Sequence, residues 1–200
     1  MQLTNALAVV ASLASAVSAS SIPAHIYNRQ NGTAPRNFKV QVVNINSTIH
    51  LQHFQANSGS ILVGLPNQGA ACDNTPDQPT EQEATFTLDP DSTLFLYTGQ
   101  EEPQQTFADR SGMGQGKFGY TTGAQPAPRN GERAGWAIDA AGYLTLQGAG
   151  FIACPNSIDG AWVIWVDAGK PNPAGYTNCI PIAARTVEIP KPVGCEYTSN

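Results

Sequence analysis

From residue 38 to residue 189, apolar and polar side chains alternate in short runs, the period-two pattern of strands with one covered face. Phe38-Lys-Val-Gln-Val-Val-Asn-Ile alternates, and so does Thr48-Ile-His-Leu-Gln-His-Phe. Further runs fall at 60–64, 84–88, 93–98, 105–109, 117–121, 135–138, 143–147, 150–153, 161–166 and 182–189. Gly, Pro, Asn or Asp separates them, so about a dozen short strands are expected. Helical periodicity is absent outside the first residues. The stretches 65–83 and 122–134 are rich in Pro, Gly and amides and read as long surface loops. These features predict an all-β antiparallel domain, a sandwich or a barrel.

One pattern recurs. Phe86-x-Leu88-Asp89 followed by Leu94-x-Leu96 returns as Trp136-x-Ile138-Asp139 followed by Leu144-x-Leu146. A fainter copy is Val43-x-Ile45-Asn46 followed by Leu51-x-His53. Each describes a strand, an Asp- or Asn-initiated turn and a returning strand. Three related hairpins would suit a β-trefoil, the alternative architecture, although any amphipathic hairpin gives the same pattern.

The ends and the composition set the compartment. Residues 1–19, MQLTNALAVVASLASAVSA, carry no charged side chain and finish on small residues, a secretory signal peptide with cleavage after Ala19. Its apolar stretch, Ala6–Val17, is too short to span ~30 Å of hydrocarbon. The polar C-terminus excludes a glycolipid-anchor tail. Residues 20–37 read as an N-terminal extension and 38–200 as one β domain, both expectations from pattern alone. Charged residues make up 12% of the chain, about half the usual share. Asn, Gln, Ser and Thr together supply 56 of the 200 residues. A thin net charge of −5 argues against nucleic acid or an anionic membrane as partner.

Four cysteines, Cys72, Cys154, Cys179 and Cys195, lie beyond the leader. An even count in an exported chain predicts two disulfides. Three pairings exist, and the expected one is Cys179–Cys195, closing a short Pro-rich loop, with Cys72–Cys154. No Cys-x-x-Cys spacing supports a metal instead. The sequons Asn31-Gly-Thr33, in a polar stretch, and Asn46-Ser-Thr48, between two strand-like runs, predict glycosylation at Asn31 and Asn46.

Other candidate chemistry is thin. His50 and His53, three apart on a strand, would face opposite ways and could not chelate one ion. Gly114-x-Gly116-x-x-Gly119 spells a dinucleotide fingerprint, but a strand-like run follows where the motif needs a helix. Asp109, Asp139, Asp159 and Asp167 could provide the carboxylate pair of a glycosidase, which needs a separation of about 5–9.5 Å; turns explain most of them. Trp136, Trp162, Trp165, Tyr120 and Tyr143 are candidate glycan contacts, with Trp162 and Trp165 on opposite faces of one strand. No catalytic, cofactor-binding or metal-binding residue is assigned.

The segment Asp109-Arg-Ser-Gly-Met-Gly-Gln-Gly-Lys-Phe-Gly-Tyr-Thr-Thr-Gly-Ala-Gln-Pro-Ala-Pro-Arg-Asn-Gly-Glu-Arg-Ala-Gly-Trp136-Ala-Ile-Asp resembles the fungal cell-wall proteins of phialide development, the PhiA family. Thr48-Ile-His-Leu with its following Gln-Ala-Asn-Ser-Gly, Phe151-Ile-Ala-Cys-Pro155, Asp159-Gly-Ala-Trp-Val and Pro192-Val-Gly-Cys-Glu-Tyr197 extend the likeness over about residues 38–198. The resemblance implies a secreted, non-enzymatic wall protein supporting wall assembly, asexual sporulation through phialides and conidia, and stress protection. Members are also known as IgE-binding mould allergens. The family brings no catalytic residues. Its implied partners are wall polysaccharide (glucan or chitin) or other wall proteins, with no cofactor. A soluble carbohydrate-binding module or secreted effector is the alternative, and a cryptic glycosidase a more distant one.

Overall fold

The computed structural model describes residues 36–73, 81–99 and 101–199. The expected signal peptide, Asn31 and all but the last two residues of the expected extension lie outside them. Fourteen strands run in chain order. They are β1 Arg36–Val43, β2 Gln55–Asn57, β3 Ser60–Val63, β4 Ala71–Cys72, β5 Thr85–Leu88, β6 Leu94–Leu96 and β7 Gln104–Asp109. Then come β8 Lys117–Thr122, β9 Trp136–Ile138, β10 Leu144–Leu146, β11 Phe151–Cys154, β12 Trp162–Val166, β13 Ile180–Glu188 and β14 Cys195–Glu196. Two single 3₁₀ turns, Ile158–Gly160 and Pro173–Gly175, are the only helical elements among the described residues.

All pairings are antiparallel. The order β11-β13-β1-β5-β6-β7-β8-β3-β12 closes back on β11 and makes a nine-strand barrel, with β2 added at the edge of β3. Closure removes the exposed strand edges that an open sheet would leave. In β1 the inward residues Phe38, Val40 and Val42 are buried while their neighbours are not. The core they enter includes Phe54, Phe86, Phe118, Phe151, Ile164 and Tyr197, all buried. Rings meet edge to face at Phe54–Phe151 (6.0 Å) and tilted at Phe118–Trp136 (4.9 Å), distances at which aromatic pairs add to area burial. The barrel is filled by its own side chains, so a ligand must bind outside it.

The two strong hairpin repeats are real and share a turn. Asp89 N–H donates to Thr93 O at 3.0 Å, and Asp139 N–H to Tyr143 O at 2.9 Å. The fourth turn residue is left-handed in both, Ser92 and Gly142. The third copy fails, and with it the β-trefoil. Residues 45–51 form a turn, Ile45 is 80% exposed, and Leu51 is left-handed and exposed. The strand expected over 48–54 is therefore replaced by a turn closed by Leu51 N–H to Val42 O (2.9 Å) and Val42 N–H to Gln52 O (2.8 Å), with Ile49 tucked into the core. Alternation alone cannot separate that from a strand.

The expected disulfide pairing is wrong. The bonds are Cys72–Cys195 and Cys154–Cys179. Cys195 sits directly opposite Cys72 in the small β4–β14 sheet. Cys154 ends β11 and Cys179 precedes β13; because Ala153 pairs with Ile180, the two sulfurs are neighbours across that ladder. Strand register decides the pairing, not loop length.

The C-terminal tail is tied down by buried polar groups. Gln104, fully buried, donates Nε2 to Tyr197 O at 2.6 Å and accepts Tyr197 N–H at Oε1 at 2.9 Å. Tyr197 Oη accepts Thr85 N–H at 3.0 Å, and Tyr120 Oη donates to Thr198 O. One amide side chain thus stands in for a strand partner where the sheet offers none.

Candidate functional site

β7 leaves the barrel at Asp109 and turns through residues 110–116 into β8. The buried Asp109 carboxylate accepts Ser111 N–H at 3.0 Å, and Ser111 Oγ accepts Gly114 N–H at 3.2 Å. A Cβ on Gly114 would lie 2.1 Å from Asp109 Cγ, so the loop packs directly on the carboxyl. Gly116, at φ +101°, donates to Asp109 O and accepts Val166 N–H at 2.8 Å; a Cβ there would sit 2.0 Å from Val166 O. The three glycines of the fingerprint spacing are close-approach residues of a β-hairpin. The turn they build is rigid, and its tip, Met113, is 92% exposed.

Beside this turn the 122–134 loop comes back to β7. Glu132 exchanges two backbone hydrogen bonds with Ala108, at 2.9 and 2.7 Å. Arg133 anchors the loop through Gln105, Thr121 Oγ1 (2.9 Å) and Gln125 O (3.2 Å). Register then sets the Arg110 guanidinium on the Glu132 carboxylate. Nε donates to Oε1 at 2.9 Å, Nη2 donates to Oε2, and Nη2 also reaches Gln147 Oε1 at 2.8 Å. Those hydrogen bonds hold the Glu132 carboxyl below its usual range and raise Arg110 above its own. Asp167 and Ala168, leaving β12, face this pair. Arg110, Ser111, Asn130, Glu132, Asp167 and Ala168 line an open cleft of about 620 Å³.

A second, smaller cleft of about 310 Å³ includes His53, Gln55, Leu65 and Glu83. His53 Nδ1 lies 2.8 Å from Glu83 Oε1, and Lys39 Nζ bridges Glu81 (2.8 Å) and Glu83 (2.9 Å). Burial alone would lower the Lys39 ammonium, but its hydrogen bonds to the two glutamates and their charge outweigh it and leave it raised. His50 is engaged elsewhere, accepting Asn44 N–H at 3.2 Å. Among the described residues no three His, Cys, Asp or Glu side chains gather as a metal site. No helix among them is long and apolar enough to cross a membrane.

The aromatic candidates do not form a patch. Trp136, Tyr120 and Trp165 are 1%, 3% and 5% exposed, so none of the three can stack on a sugar ring in this conformation. Trp165 lies in an outer apolar cluster with Leu62, Ile152 and Val163, covered by Tyr176 at a ring distance of 6.1 Å. Trp162 packs on the inner core, the opposite face as alternation requires. Trp162 and Tyr143 are half-buried, and neither lines the larger cleft. The four aspartates are also dispersed. Asp109 builds the 110–116 turn, Asp139 Oδ1 accepts Ala141 and Tyr143 N–H at 2.9 Å each, and Asp159 sits in a 3₁₀ turn. Only Asp167 lines the cleft. Arg110, Asn130 and Glu132 were not singled out by sequence, because only the return of the 122–134 loop to β7 brings them together. Asn46 stands exposed on the 45–51 turn rather than between two strands.

The family model for PhiA-like secreted proteins matches residues 38–198. The chain belongs to that family. A relative called "Cell wall protein phiA" from Aspergillus fumigatus is 53% identical over 167 residues, covering 82% of this chain and 88% of the relative. Proteins of the same name from Emericella nidulans and Arthroderma benhamiae are 42% identical over 200 residues and 41% over 167. The first match covers both chains completely; the second covers 82% of this chain and 88% of the relative. No solved structure matches the chain. This PhiA-like chain is a secreted, cell-wall protein. Within the matched residues, the Asp109–Asp139 block supplies Arg110, Ser111, Asn130 and Glu132 to the cleft.

Proposed function

We propose that this protein is a non-catalytic component of the wall, held by many weak contacts to polysaccharide (glucan or chitin) or to other wall proteins. In that role it supports wall assembly, asexual development and stress protection. A cleaved leader (residues 1–19), an extension (20–37), one β domain (38–200) and glycans on Asn31 and Asn46 belong to the same proposal. The family match over 38–198, with relatives named as cell-wall proteins, carries the reading. Dispersal of Asp109, Asp139 and Asp159 into separate turns supports a non-catalytic role. Low charge supports contacts made by hydrogen bonds rather than ion pairs.

The test is to incubate the secreted protein with insoluble β-glucan and with chitin, then assay the pellet for protein and the supernatant for new reducing ends. The expected outcome is protein in at least one pellet and no release of sugar. Steady release of reducing ends would replace this reading with a glycosidase.

A further inference from the structure

We propose that the cleft between the 110–116 turn and Asp167 is a binding site for an uncharged, hydroxyl-rich glycan strand. This inference rests on the polysaccharide reading above and gives it an address on the molecule.

Charge excludes other ligand classes first. Arg110 is committed to Glu132 and Gln147, so it is no free cation for a phosphate or carboxylate. Asp167 is the one lining charge without an ion pair among the described residues. Its Oδ1 already accepts Gly169 N–H at 2.8 Å, and a single solvated carboxylate is a weak basis for holding a cation.

The lining does offer a mixed row of donors and acceptors. Asn130 supplies both, Ser111 supplies a hydroxyl, and Asp167 and Glu132 supply carboxylate oxygens. A sugar hydroxyl both donates and accepts, so each of these groups finds a partner on it. The planar Arg110–Glu132 fork is held in place before any ligand arrives, which reduces the ordering cost of binding.

Both walls are fixed as well. The turn is locked onto Asp109 and Val166, and Asp167 N–H is bonded to Gly150 O at 2.9 Å. The cleft is open to solvent along its length and has no ring to stack on, unlike a mostly apolar pocket for a small molecule. It suits a strand lying across it. Affinity per site is then modest, and repetition along the polymer supplies retention.

The decisive experiment is an amide-resolved NMR titration of the full secreted protein with a β-glucan hexasaccharide and, in parallel, a chitin hexasaccharide. The two arms identify which polymer carries the shared chemistry. Shifts should concentrate at residues 110–115, 130–132 and 167–169 with at least one sugar. The Asn130→Ala/Asp167→Ala variant, altering two exposed side chains, should weaken binding of that sugar about tenfold. Shifts confined to another face, or an unchanged affinity in the variant, overturn this site and leave the polysaccharide reading standing. Absence of binding to either sugar, together with absence from both polymer pellets, overturns both. If the variant does not fold, the wild-type shift map decides the question alone.

Discussion

Gln104 is buried in the wall of the barrel with its amide bonded to both backbone groups of Tyr197. Gln104→Leu keeps the volume but strands a buried N–H and a buried C=O. Each orphaned group costs about 1–3 kcal/mol, so urea unfolding with the disulfides intact should show a loss of about 2–6 kcal/mol. A loss below about 1 kcal/mol would mean the tail does not depend on this clamp. Tyr197 makes a second prediction. Burial pushes its phenol up to about 12, and Tyr120 is also raised, first by burial. A folded-state value above the unfolded one contributes stability that is complete below about pH 10 and is lost as pH rises towards 12. Phenolate absorbance should therefore omit these two tyrosines near pH 10 and gain them only as the fold opens. At Gly116, an added methyl would meet Val166 O, which no rotamer change can relieve. Gly116→Ala should cost about 2 kcal/mol or more and loosen the cleft wall.

Among the elements, the segment from Asp167 to Cys179 depends most on its covalent bond. It covers Trp165 with Tyr176, has Pro173 buried, and donates Ala174 N–H to Gln115 Oε1 at 2.9 Å. In the chain-entropy account a 25-residue separation makes Cys154–Cys179 worth about 3.5 kcal/mol, against about 5 kcal/mol for Cys72–Cys195 across 123. Cys154→Ser/Cys179→Ser should lower stability by a few kcal/mol and shift tryptophan emission to the red as Trp165 meets water. Emission unchanged in the folded variant would show that packing alone holds the cover. The hairpins at 86–96 and 136–146 were legible in sequence because an Asp-initiated turn reinforces alternation on both sides. The 48–54 segment was misread because Ile49 fills the same core position from a turn. The two-residue strands β4 and β14 leave no pattern to read. The disulfides were misassigned for a related reason: their partners follow from the β4–β14 and β11–β13 registers, which no local stretch encodes.

At the scale of the whole barrel, closure and a filled interior leave the outer surface as the place for function. All-β architecture was readable because every wall strand needs one apolar row. The cleft was not, since its polar residues look like ordinary loop composition until the 122–134 loop returns to β7 and Arg110 meets Glu132. The aromatic residues weighed as sugar contacts belong largely to the core, the default reading of such residues, where rings are the efficient filler of a barrel. With few charges and many amides and hydroxyls, retention in the wall should depend on hydrogen bonds repeated along polymer. The most direct test is to wash isolated walls with about 1 M salt, where the screening length falls to ~3 Å and charge attraction is largely abolished. The protein should stay with the walls through that wash and come off only with hot detergent or glucanase. Near-complete release by salt alone would contradict the account.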